Sequence, residues 1–218
     1  MKHASIRRFV TALVIAAATT CGLAAQSAAQ NAADAAWLIQ ALEIKAGSVV
    51  GEIGAGDGEI SFAVARTVGD AGRVYSNELN KGRLAAIGTT AETRGLHNVT
   101  PIEGRENETN FPEACCDAIF MRNVYHHFGD PPAMNASLLK SLKPGGRLAV
   151  IDFTPPPGGE TVPGHRGDDN HHGITTPTLE RELKAAGFEI VSSDEKDRTV
   201  TVVARRPEVA GSQSAVRK

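Results

Sequence analysis

Short apolar runs alternate along this chain with longer segments in which apolar residues recur every three or four positions. SVVGEI (48–53), GRVYSNEL (72–79), VTPIEG (99–104), CDAIFMR (116–122) and RLAVIDF (147–153) are rich in apolar and β-branched residues, which predicts buried strands. EISFAVARTVG (59–69) carries Ile60, Ala63, Val64 and Thr67 at helical spacing and stops on a glycine. NKGRLAAIGTTAETRG (80–95) reads as a helix capped by Asn80 and closed by Gly95, and PAMNASLLKSLKPGG (132–146) as a helix ending in Pro-Gly-Gly. Ahead of the first strand, NAADAAWLIQALEIKAG (31–47) predicts a helix with Trp37, Leu38 and Leu42 near one face. Alternation of this kind means βαβ units and a parallel sheet.

The pattern changes after residue 153. TPPPGGETVPGHRGDDNHHG (154–173) has no periodicity and predicts a loop long enough to need a functional or disorder explanation. TPTLERELKAAGF (176–188) resumes as a helix. FEIVSSDE and RTVTVVARR then read as two strands around a short charged turn, hence an antiparallel hairpin.

The first 29 residues follow other rules. MKHASIRRFV is basic, TALVIAAATTCGLAA is apolar and small, and QSAAQ follows, the order of a secretory signal. Ser27-Ala28-Ala29 fits a cleavage site, and Leu23-Ala24-Ala25 is a second option. The apolar stretch is short for a membrane span. The expected organisation is a signal over 1–29, one domain over 30–206 and a disordered polar tail over 207–218. The expected location is the bacterial periplasm, the alternative being an uncleaved N-terminal anchor, with no stable membrane insertion once the signal is removed. Removing 1–29 takes away Lys2, Arg7 and Arg8 and no acid, so a net charge of −2 becomes −5. That mild acidity argues against a nucleic-acid partner. Cleavage also removes Cys21 and leaves Cys115 and Cys116, whose adjacency allows no conventional intrachain disulfide.

The chemistry begins at VVGEIGAGDGEISFAVA (49–65), where a strand runs into Gly54, Gly56 and Gly58 and then a helix, a geometry that lets a ligand approach bare backbone. A dinucleotide site wants its third glycine at 59, where Glu59 stands, and an acid there is poor company for a pyrophosphate. Glu52-Ile53-Gly54-Ala55-Gly56-Asp57-Gly58 instead resembles the first motif, E/D-x-G-x-G-x-G, of the class I S-adenosylmethionine-dependent methyltransferases. The stretch from Asn98 to Phe153, with its His-His turn and Leu142-Lys143-Pro144-Gly145-Gly146, is similar to the small-molecule branch akin to the ubiquinone/menaquinone C-methyltransferases. The resemblance implies a Rossmann-like, doubly wound, seven-stranded α/β sheet, mostly parallel, with an antiparallel C-terminal hairpin strand. It implies S-adenosyl-L-methionine as cofactor and a small-molecule acceptor.

By the same resemblance Glu52, Gly54, Ala55, Gly56 and Gly58 surround the methionyl part, and Glu78 with Leu79 takes the ribose. Gly104, Arg105, Glu106 and Asn123 complete the cofactor set. Arg105 stands where the family has an adenine-binding acid, so either Glu106 or a neighbouring backbone amide takes that role, or cofactor binding is weak. A carboxylate accepts both hydroxyls of a diol, and an acidic rim suits a cationic cofactor. Tyr125, His126 and His127 follow strand four, where ligands of parallel sheets bind, and are the candidate catalytic residues, a histidine there serving as base or merely bonding within its loop. Methyl transfer from a sulfonium is an in-line displacement in which the protein mainly positions the acceptor. An exported binding protein that keeps the fold without turnover is the alternative. His165, Asp168, Asp169, His171 and His172 match no established metal spacing, so no metal is assigned; the loop 154–173 reads as solvated, or as a mobile lid over the crevice.

Overall fold

The computed structural model describes residues 27–159, 162–168 and 171–208. The predicted signal through residue 26 and the tail beyond 208 lie outside the described residues. Helix α1 covers 27–41. After it come β1 (Val49–Ile53), α2 (Glu59–Val68), β2 (Arg73–Glu78), α3 (Lys81–Thr93), β3 (Val99–Glu103), β4 (Cys116–Arg122), α4 (Pro131–Ser141), β5 (Leu142–Phe153), α5 (Thr176–Ala185), β6 (Glu189–Lys196) and β7 (Thr199–Arg205). The sheet order is β3-β2-β1-β4-β5-β7-β6. β1 to β5 pair in parallel, while β7 lies antiparallel to both β5 and β6. The seven-stranded, mostly parallel sheet with its antiparallel hairpin is therefore present.

Alternation along the central strands feeds two cores. On β4 Ala118 and Phe120 face the layer of α1, α2 and α3, with Leu38, Phe62 and Ile87. Ile119 and Met121 face the layer of α4 and α5, with Leu138, Leu179 and Leu183. This two-sided burial is why these strands read as continuous apolar runs. Asn80 caps α3 as expected, its side chain accepting from the Arg83 N–H at 3.0 Å.

Some boundaries differ. α1 is already helical at residue 27, ahead of the expected 31, and it ends at 41 rather than 47, because Glu43 and Gly47 take positive φ and turn the chain out of the helix. α4 ends at Ser141 rather than 146, and Lys143-Pro144-Gly145-Gly146 opens β5. Pro144 has no N–H to donate to a helix, and Gly145 has φ 78°, outside helical space. The expectation for the cysteines is also corrected. Cys115 and Cys116 form a vicinal disulfide across Cα atoms 3.8 Å apart, a pairing that the span of ordinary bridges had ruled out.

Candidate functional site

The three glycines of the turn after β1 do different work. All have positive φ, 68°, 58° and 78°, which favours glycine. A Cβ on Gly54 would stand 2.5 Å from Val124 of the β4 exit, and one on Gly58 would stand 2.9 Å from the Phe62 ring. A Cβ on Gly56 would meet nothing within 4 Å, so the turn presents bare backbone to open space there. Glu78, buried at the end of β2, binds this turn: its Oε2 accepts from the Gly56 N–H at 2.8 Å and its Oε1 from the Asn80 N–H at 2.9 Å. A carboxylate has about four acceptor sites, so Glu78 keeps capacity for a diol.

A cavity of about 610 Å³ runs along this edge, within the range of small-molecule sites. Glu78, Leu79 and Glu106 line one end; Gly54, Gly56 and Asn123 line the middle; His127, Phe128 and Met134 line the other end. Arg105 reaches the cavity too but pairs with Glu108. A Cβ on Gly104 would crowd Asn77 and the Glu78–Leu79 backbone, and Gly104 lines an adjoining cavity together with Leu79 and Glu106. A smaller cavity, about 280 Å³, adjoins behind the turn and contains Ser27, Asn31, Glu52 and Arg122.

Glu52 is buried, and burial pushes its carboxyl up to about 7, against the lowering effect of the Ser61 hydroxyl and the Arg122 charge. The Ser61 hydroxyl donates to it at 2.5 Å. Arg122 bonds Asp34 of α1 at 2.9 Å, which fastens α1 beside the cavity. Sequence reasoning passed over Arg122 and Asp34, because no local pattern links residues 88 positions apart.

The turn after β4 does not place its residues alike. Asn123 has φ 56° and swings the chain into a 3-10 turn, Tyr125–His127. Only His127 of the three lines the large cavity. The Tyr125 side chain is directed away from it. Its hydroxyl donates to Glu182 at 3.1 Å and accepts from the Asn135 amide at 2.7 Å, and burial pushes the phenol far up. It is a core residue, which corrects its assignment as catalytic. His126 is buried beneath, with Nδ1 2.7 Å from Asp152. Burial lowers the His127 imidazole below its ordinary value, and the neighbouring His126 and His172 add to this.

The loop 154–173 reaches over the crevice as expected, with Gly164 lining the large cavity and Gly167 against His127, but it is anchored rather than free. Arg166 is 1% exposed and forks onto Glu182 of α5 at 3.0 and 2.5 Å. The Gly173 N–H donates to the Arg166 carbonyl at 3.0 Å, and that of Ile174 to Phe153 at 2.8 Å. The polar cluster divides. His165 faces solvent with Asp168, whereas His172 turns inward to His126 and His127. Asp169 lies outside the described residues.

Residues 51–150 match a family model described as a methyltransferase domain. The ubiquinone/menaquinone biosynthesis C-methyltransferase of Marinomonas sp. (strain MWYL1) is 29% identical over 52% of this chain and 45% of its own length. That of Vibrio campbellii is 30% identical over 50% of this chain and 43% of its own. The chain thus spans less than half the length of these curated relatives. Among solved structures, a SAM-dependent methyltransferase from Aquifex aeolicus superposes with a TM-score of 0.67 at 23% identity, covering 79% of this chain and 89% of that one, which speaks to fold. A cavity that joins the bare Gly56 backbone to Glu78 fits S-adenosylmethionine, and the matched segment, residues 51–150, is similar to the methyltransferase domain of class I S-adenosylmethionine-dependent enzymes.

Proposed function

We propose that this protein transfers a methyl group from S-adenosylmethionine to a small-molecule acceptor by in-line displacement. One observation carries the reading: a single cavity connects the glycine turn and Glu78 to a separate end walled by His127, Phe128 and Met134. When bound, S-adenosylmethionine supplies the electrophilic methyl. Glu78 accepts the ribose hydroxyls while holding the Gly56 and Asn80 amides, so one carboxylate sets both turn and ligand. Glu52 faces the cationic methionyl end, and Phe128 and Met134 offer apolar contact to the acceptor.

Calorimetry on the purified chain is expected to show S-adenosylmethionine binding, weakened by roughly 1–3 kcal/mol in Glu78→Ala, the scale of charge-assisted hydrogen bonds. No heat and no thermal shift at millimolar cofactor would end the proposal. A metabolite library scored by mass gain identifies the acceptor. On that acceptor His127→Ala is expected to lower turnover and leave cofactor affinity within about twofold, because His127 stands at the far end of the cavity from Glu78.

Export to the periplasm belongs to the same proposal. Ser27 and Asn31 of α1 border the smaller cavity, which favours cleavage after Ala25 over cleavage after Ala29. Intact mass of the exported protein is expected to begin at Gln26. A start at Gln30, from cleavage after Ala29, would remove Ser27 from the cavity wall and refute the earlier site.

A further inference from the structure

We propose that His126, His127 and His172 form a binding site for a divalent transition-metal ion. One ring nitrogen from each, all within 4.8 Å of one another, gathers at one point although the residues come from two separate segments. Metal bonds of about 2.0–2.1 Å in tetrahedral geometry set ligand nitrogens roughly 3.4 Å apart, so the ring nitrogens need to close by up to about 1.4 Å from their 4.8 Å span. His172 stands in a loop and His127 in a 3-10 turn, where such a shift is small.

The buried member supplies independent evidence. His126 is 1% exposed, and its Nε2 has no hydrogen-bond partner among the described residues. A buried nitrogen left so is unfavourable, and a bound ion would satisfy it. Its other nitrogen, Nδ1, donates to Asp152 Oδ1 at 2.7 Å, which leaves the lone pair on Nε2. Asp152 is itself held in place: its Oδ2 accepts from the His126 N–H at 3.2 Å and its Oδ1 from the Phe153 N–H at 2.9 Å. A carboxylate that orients a histidine from behind is the usual support of a metal-bound imidazole. Phe153 packs edge-on against His172, with ring centroids 4.9 Å apart, and walls the site on an apolar side.

Three neutral imidazoles select zinc, copper, nickel or cobalt over magnesium or calcium, which prefer oxygen. Three protein ligands also leave a fourth position open. His127 borders the acceptor end of the large cavity, so that position takes an oxygen of the acceptor, such as an enol or phenol. This last placement rests on the methyltransferase reading; the metal site itself does not.

The test is a cobalt titration of the full chain, purified without a histidine tag, stripped with chelator and kept free of cofactor. The expected result is a tetrahedral visible absorption band that saturates at one equivalent and is displaced by zinc. His172→Ala and His127→Ala are expected to weaken binding by roughly 100-fold or more, and Asp152→Asn by about 10- to 100-fold. His165→Ala, exposed and outside the cluster, is expected to bind as wild type does. His126→Ala is avoided because its buried ring packs the core. Wild-type affinity weaker than about 0.1 mM, or His172→Ala and His127→Ala binding as tightly as wild type, would overturn the proposal. A chain that binds cobalt as described but not S-adenosylmethionine would refute the methyltransferase reading and leave the metal site standing.

Discussion

Replacing Arg166 by alanine is expected to destabilise the protein by about 3–5 kcal/mol, a large fraction of the stability of a domain this size. The Arg166 side chain is 1% exposed and that of Glu182 is 15% exposed, so the pair sits where water cannot stand in for a lost partner. Without the guanidinium, Glu182 keeps the Tyr125 hydroxyl at 3.1 Å, one neutral donor for a nearly buried carboxylate. The loss therefore reflects a stranded charge more than the worth of the ion pair, and a double variant separates the two. Arg166→Met with Glu182→Met removes both charges and keeps apolar volume, and is expected to recover most of the stability. Urea unfolding followed by circular dichroism gives both numbers. A change below about 0.5 kcal/mol in Arg166→Ala would show that the loop is not anchored as described. The same pair predicts that deleting 160–172 lowers stability by a similar amount as well as opening the cavity.

The contrast with a free lid marks where the chain's pattern stops being informative. Strands and helices were legible because burial on two faces forces continuous apolar runs, and a helix over a sheet forces a period near 3.6. The glycine turn and Glu78 were legible because backbone exposure and an acid at a strand end leave local marks. Arg166 left none. An arginine among glycines, prolines and aspartates reads as solvated, and only the fold brings Glu182 to it from 16 positions away. The same holds for the histidines. The His-His turn pointed to the correct edge of the sheet, but its three residues diverge into a core phenol, a buried imidazole and a cavity wall. Asp152 carried a readable signal, being an acid inside the apolar run RLAVIDF, where only a committed partner makes burial tolerable.

Cofactor affinity is expected to fall as pH falls through neutrality, and Glu52 is the reason. Burial holds its carboxyl at about 7 in the free protein, above the ordinary 4.5. The cationic methionine end of the cofactor favours the ionised form, so binding draws the proton off. Above pH 7 the carboxylate is already charged and affinity is at its plateau. Below it, each pH unit costs close to tenfold, roughly 15-fold between pH 7 and 5.5. Stability runs the other way. The folded protein holds this proton more tightly than the unfolded chain, so the contribution is full below about 4.5 and is lost as pH rises through 7. Glu52→Gln carries no charge at any pH and can still accept from Ser61. It is expected to stabilise the free protein at pH 8, by about 3 kcal/mol at most. It is also expected to bind S-adenosylmethionine more weakly, with an affinity that no longer varies over this range. Isothermal titration of both proteins across pH 5.5–8, paired with thermal unfolding without ligand, measures the two slopes. If wild-type affinity is flat over that interval, or Glu52→Gln keeps the wild-type slope, the buried carboxyl of β1 is not the group that meets the cation.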